Sequence, residues 1–196
     1  MPGSLSELQI YNMALDMVDE EYAATIDDTR APVKWMRRNF PIERDIMLRR
    51  RPWGFAKTLA TVAREDERPP FDYMFRYTMP SDCLYVLPFV YSSRTGYTPW
   101  KYEIMGNFIY TNVDSPINFK YVRRVTQTGL FDIMFCDALA SRLALKISHF
   151  LTGKASYVER LTLIYNMALD DAMTADAIES TSGQVPYDDE ILLVRE

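Results

Sequence analysis

The chain has 196 residues, of which 48% are hydrophobic and 25% charged, with a formal net charge of −5. That supplies a core for one domain with a small insert, and the mildly acidic balance excludes a general nucleic-acid binder. Two cysteines are too few for a disulfide scaffold, no CxxC pair exists and only one histidine is present.

The N-terminal Met1-Pro2-Gly3-Ser4 has no basic region followed by an apolar run, and no stretch is long enough to span a bilayer. The expectation is a soluble protein made in a reducing cytoplasm. Ser4, with Glu7 three residues on, predicts a capping box, and Leu8, Tyr11, Leu15 and Val18 then share one helical face. The acidic run from Asp19 to Asp28 reads as a loop. Thr29 is placed to cap a second helix with Pro32 in its first turn and Val33, Met36 and Phe40 along its apolar stripe. Pro41 predicts a kink or break there, with the helix resuming to Arg51 before Pro52.

The period then changes. Phe71, Tyr73, Phe75 and Tyr77 alternate with Asp72, Met74, Arg76 and Thr78, which predicts a strand half-buried on its aromatic face and closed by the turn Met79–Asp82. Cys83 to Tyr91 is a second β-rich run in which Pro88 marks an edge or bulge, and Ser92 to Pro99 reads as a loop. Gly106-Asn107 predicts a tight hairpin between Lys101–Met105 and Phe108–Thr111, and Ile117–Val125 is a further strand. A long helix follows on Phe135, Leu139, Leu143, Ile147 and Phe150, ending at Gly153, and another on Val158, Leu161, Tyr165, Ala168, Ala172 and Ala175. The final segment ends in the apolar run Ile191-Leu192-Leu193-Val194, which is too short to bury itself. It is an arm that docks elsewhere, a disordered tail, or an edge strand of its own domain.

The predicted fold is α+β: a helical bundle from N- and C-terminal helices with a small antiparallel β insert. The expected divisions are 1–68, N-terminal helices; 69–128, β insert; 129–180, C-terminal helices completing the bundle; and 181–196, the arm.

Several segments together resemble the phage head-to-tail adaptor family that includes the tail tubular protein A of short-tailed phages. They are Ile10-Tyr11-Asn12-Met13-Ala14-Leu15, Arg51-Pro52-Trp53-Gly54-Phe55-Ala56, the stretch from Phe75 to Leu84, the stretch from Tyr102 to Asn112, and Phe135-Cys136-Asp137-Ala138-Leu139-Ala140-Ser141-Arg142-Leu143-Ala144. Their order over nearly the whole chain is distinctive. Met17-Val18, where the family often has Leu-Gly, and Pro41 inside the second helix depart from the pattern. The resemblance implies a non-enzymatic virion protein, assembled in the host cytoplasm and placed at the head-tail junction. It implies a ring, commonly a dodecamer, with the portal above, a tail or nozzle protein below and DNA passing through without sequence recognition. The C-terminal region commonly reaches the portal, and no catalytic, cofactor or metal residue is implied.

Charge agrees with a ring. Residues 1–29 carry seven acids (Glu7, Asp16, Asp19, Glu20, Glu21, Asp27, Asp28) and no Lys or Arg. Residues 30–51 carry eight bases (Arg30, Lys34, Arg37, Arg38, Arg44, Arg49, Arg50, Arg51) against Glu43 and Asp45. A basic second helix can face the acidic first or last helix of a neighbour in a heterologous interface, or pair within its own subunit.

Chemical alternatives are thin. Arg49-Arg50-Arg51 beside Trp53 and Phe55 has the composition of a nucleic-acid patch, but also of core anchors under a charged surface. His149 stands away from Cys136 at no ligand spacing, and Cys83 and Cys136 read as reduced, buried small hydrophobes rather than nucleophiles. Glu43 and Asp45, or Glu103, are the carboxylates to nominate for a virion-associated peptidoglycan hydrolase. A cytoplasmic DNA-binding regulator on the N-terminal helices is the remaining class, and the acidic loop before the basic helix opposes it.

Overall fold

In the structure, a computed structural model, residues 5–69, 72–88, 90–93, 96–99, 101–151 and 155–181 are described. Ser4, Phe71, Gly153 and residues 182–196, to which the sequence assigned a cap, a strand position, a helix end and the arm, lie outside them, as does the side chain of Phe150.

Helix α1 (Glu7–Asp16) is opened by Ser6, whose side chain accepts from the Gln9 amide while the Gln9 side chain accepts from the Ser6 amide. The capping box is therefore two residues later than Ser4 and Glu7 suggested; Glu7 instead accepts from the Tyr11 hydroxyl at 2.5 Å. Ile10, Tyr11, Ala14 and Leu15 are fully buried. The acidic loop is tied back to α1 by Asn12, which accepts from the Ala23 amide at 2.8 Å and donates to its carbonyl at 3.1 Å.

Helix α2 runs unbroken over Ala31–Arg49, with Arg30 rather than Thr29 at its N-cap and no side-chain cap. Of the kink or break expected at Pro41, the break does not occur. Pro41 lies on the exposed side, where water can serve the carbonyl left without a partner. Val33, Met36, Phe40, Met47 and Leu48 line the buried side.

Among the described residues eight strands follow: β1 (Lys57–Val62), β2 (Phe75–Thr78), β3 (Cys83–Val86), β4 (Val90–Ser93), β5 (Gly96–Pro99), β6 (Tyr102–Met105), β7 (Phe108–Thr111) and β8 (Ile117–Arg123). They form antiparallel sheets in the orders β1-β8-β3, β2-β7-β6 and β4-β5. The β6–β7 hairpin turns at Gly106, whose φ of 59° suits glycine, as the sequence indicated. Two differences stand out. β1 lies within the segment read as helical, and its pairing is non-local, Lys57 facing Val122 and Val62 facing Ile117. The run from Cys83 to Tyr91 splits around Pro88 into β3 and the first half of β4, and the segment Ser92–Pro99, read as a loop, supplies the rest of β4 and all of β5, its pairing partner.

Helix α3 (Ile133–Leu151) buries the predicted face, with Phe135, Leu139, Leu143 and Ile147 all inaccessible. It packs against α1, α2 and α4 (Ala155–Thr181). The main core joins these four helices to Val122 and Val125. A second, smaller core of Tyr77, Ile109, Ile117, Phe119 and Tyr121 belongs to the β insert. Strand β8 serves both, since Ile117, Phe119 and Tyr121 alternate into the small core while Val122 enters the large one. The architecture is α+β.

The two ends of the insert meet in an aromatic cluster. Trp53 and Phe55, which follow α2, pack on Phe135 at centroid distances of 5.1 and 5.0 Å, and Phe131 packs on Phe135 at 5.1 Å. The indole N–H of Trp53 donates to the Met47 carbonyl at 2.9 Å. Replacing Phe135 by Ala should cost about 3–5 kcal/mol of stability by cavity formation. Urea denaturation checks this, with Leu59→Ser, an exposed position, as a control expected to change little.

Candidate interaction surfaces

Polar groups inside the helical part are used to lock helices together. Arg142 of α3, with its side chain 12% exposed, donates through Nε to Glu43 Oε2 of α2 at 2.5 Å. Its Nη1 lies 3.3 Å from the Tyr165 hydroxyl of α4. Burial alone would lower the pKa of Arg142, but the Tyr165 hydroxyl and the Glu43 carboxylate outweigh it and raise the value. One guanidinium therefore holds three helices. A second clasp ties α4 to the base of the insert. Asp176 Oδ1 accepts from the Gly54 amide at 2.5 Å, Asp176 Oδ2 lies 3.0 Å from Arg51 Nη2, and Arg51 Nη1 donates to the Met173 carbonyl at 2.6 Å. A Cβ at residue 54 would sit 3.2 Å from Asp176 Oδ1, which explains a glycine there. Tyr157 of α4 approaches Met17 O at 3.3 Å and Asp19 Oδ2 at 3.2 Å beyond the end of α1.

These contacts absorb the residues that suggested chemistry. Arg49 donates to the Leu84 carbonyl and lies 5.7 Å from the Tyr85 ring, Arg50 lies over Tyr165 at 5.6 Å, and Arg51 is in the Asp176 clasp. Trp53 is buried, so the triplet and its aromatics form no stacking platform. Glu43 turns inward to Arg142, while Asp45, two residues on, turns to Arg44 and Arg124 at 2.8 Å each. Glu103 stands on β6 and meets the Tyr73 hydroxyl. The structure does not bring these three carboxylates together across a cleft as glycoside hydrolysis requires. Cys83 and Cys136 are free thiols pushed up to about 11 and about 12 by burial first and by neighbouring aspartates second. His149 is exposed on α3 thirteen residues after Cys136, roughly 20 Å along the axis at 1.5 Å per residue, so the two cannot act together. Among the described residues no group of three or more His, Cys, Asp or Glu can hold a metal ion, and no helix is long and apolar enough to cross a membrane.

Part of the charge asymmetry is consumed within the subunit. Arg37 pairs with Asp27 at 2.7 Å and Arg30 with Asp28 at 2.8 Å. Unpaired charge and exposed apolar side chains also meet on the outward sides of two helices. On α2, Ile42 and Ile46 are exposed. Beside them Ala31, Lys34, Trp35 and Arg38 line a shallow groove of about 310 Å³. Lys34 and Arg38 make no ion pair with any described residue. On α4, Leu163, Met167 and Ile178 are exposed and recur at helical spacing along one stripe, flanked by Asp170 and Asp171. The sequence reading missed both stripes, because apolar residues outside the main helical period look like additional core.

Asp171 also bears on the inner packing. Burial, and then the Asp171 charge, hold Asp137 of α3 above the ordinary carboxyl range. No family model matches the chain, and no curated protein matches it.

Two outcomes follow from these clasps. Arg142→Met alone should destabilise the fold by about 3–5 kcal/mol because Glu43 is left buried and unpaired, and adding Glu43→Leu should recover most of the loss; a double-mutant cycle in urea measures it. Asp137 is raised in the folded state, so its favourable protonated form contributes fully below the unfolded value and is lost as pH rises through the folded one. Asp137→Asn should therefore raise Tm at pH 7 by about 1–3 °C, a gain that thermal melts should show vanishing well below the ordinary value of 3.8.

Proposed function

We propose that this chain is a structural, non-enzymatic subunit of a phage particle: a ring-forming head-to-tail adaptor that docks under the portal, carries the tail and leaves a central channel for DNA. The observation that carries the proposal is the pair of outward apolar stripes on α2 and α4, edged with opposite charge. A monomer has no internal use for two such stripes on different helices, whereas a closed ring needs two unlike surfaces on each subunit.

The order of elements supports the same reading. Two helices, a β insert and two more helices follow the arrangement implied by the resemblance to the adaptor family. In this reading α1 to α4 act as a bundle that forms the body of the ring, commonly twelvefold, and the insert projects from it. The net charge of −5 suits a conduit through which DNA slides, since every added Lys or Arg contact raises phosphate affinity. Lys57 Nζ lies 3.3 Å from Ser180 Oγ, so α4 ends beside the base of the insert. The run Ile191-Leu192-Leu193-Val194, outside the described residues, is assigned to portal contact on its apolar sequence.

Mixing the purified chain with the portal ring of the same phage and weighing the products by native mass spectrometry tests the proposal. A discrete complex holding a full ring of this chain is expected, and its mass gives the copy number. A chain that stays unbound across a range of salt removes the proposal's main support, and peptidoglycan hydrolysis by the chain alone would replace it with the enzymatic reading.

A further inference from the structure

We infer that the outer face of α4 docks, antiparallel, onto the outer face of α2 in the next copy of this chain. The inference rests on the ring proposed above and names the contact that closes it.

Spacing sets the register. Ile42 and Ile46 on α2 are four residues apart and 57% and 39% exposed, while Leu163 and Met167 on α4 are four apart and 65% and 67% exposed. Laid antiparallel, Met167 meets Ile42 and Leu163 meets Ile46, one helical turn apart in each chain. The same register carries Asp171, four residues after Met167, opposite Arg38, four residues before Ile42. It also brings Ile178, 67% exposed, to the groove lined by Ala31, Lys34, Trp35 and Arg38. The groove has an apolar floor and a basic rim, and the α4 stripe has apolar centres and an acidic flank. Arg160, three residues before Leu163 on the same side of α4, lies over the Tyr157 ring at 4.9 Å and keeps its positive charge, so the acidic flank is the Asp170–Asp171 end of the stripe.

Complementarity selects the occupant. Each face alone is an exposed apolar stripe, but their charges are opposite, so α4 on α2 is favoured while α2 on α2 or α4 on α4 sets like charges against each other. The contact is therefore heterologous, and repetition leads around a ring rather than to a two-fold dimer. An arginine brought to Asp171 would also relieve the like-charge pressure on Asp137, which a free subunit must bear.

Cysteine pairing tests it in the mixture with the portal ring, with Cys83→Ser as background. Ile42→Cys and Met167→Cys are at exposed positions and leave the core untouched. Under mild oxidation each single variant should remain monomeric on a denaturing gel. An equal mixture of the two should stop at covalent dimers, and the double variant should give a ladder extending to the full ring. A single variant that dimerises with itself overturns the heterologous contact. Rings seen by native mass spectrometry with no cross-link overturn this interface and leave the adaptor reading standing, whereas no ring and no cross-link defeats both. As a second readout, Asp171→Arg should weaken ring assembly about tenfold while raising the Tm of the free chain, and Arg38→Glu added to it should restore assembly. Unchanged assembly in Asp171→Arg contradicts the register.

Discussion

Everything in this fold depends on how the β insert is anchored. The chain leaves α2 at Arg49 and returns at the start of α3, more than eighty residues later. Both crossings must stay together if the two helical halves are to share a core. The aromatic cluster of Trp53, Phe55, Phe131 and Phe135 accomplishes this, joining two residues from the way out with two from the way back. Just beyond it, β1 pairs with β8 along its whole length. The ladder and the cluster form one stem, and the Arg51–Asp176–Gly54 clasp ties α4 to it. Large rings packed edge to face contribute both area and orientation, so the stem sets direction as well as proximity.

From that stem the division of labour follows. α3 lies at the centre of the helical part and is used on several sides at once, by α1, α2 and α4. Its one buried guanidinium, Arg142, is neutralised by Glu43 and shared with Tyr165. A buried pair of this kind contributes little net stability over apolar side chains of similar volume. With the inner sides of α2 and α4 committed to α3, their outer sides are free to carry a different surface, and it is there that apolar residues and unpaired charge collect. Placement of the helices and display of the proposed contact surfaces are thus two consequences of the same packing.

Legibility in the sequence varied with the range of the interaction. The face of α3 was readable because Phe135, Leu139, Leu143 and Ile147 repeat at helical period and all meet one core. The β6–β7 hairpin was readable because Gly106-Asn107 is a local signal. β1 was not, because Lys57–Val62 is only half-buried on alternate residues and exists through a partner some sixty residues away. Pro41 does not break α2, which continues through it on the exposed side, where water reaches the freed carbonyl. The capping box shifted because Ser6 with Gln9 competes with Ser4 and Glu7 on equal chemical terms. For the candidate site, the triple arginine Arg49–Arg51 was read as either patch or cover, and only tertiary contacts decide that all three turn inward or along the surface of their own subunit. The uneven charge was visible from the start, but which charges cancel within the subunit, as Arg37 does with Asp27, is a matter of three-dimensional distance.

The central claim is that this chain is a stoichiometric ring component at a head-tail junction. Quantitative mass spectrometry of purified particles of the encoding phage addresses it most directly, by measuring copies of this chain per copy of the portal subunit. The account predicts a fixed ratio near that of two stacked rings, unchanged through repeated purification. Absence from mature particles, or trace amounts lost on washing, would contradict it.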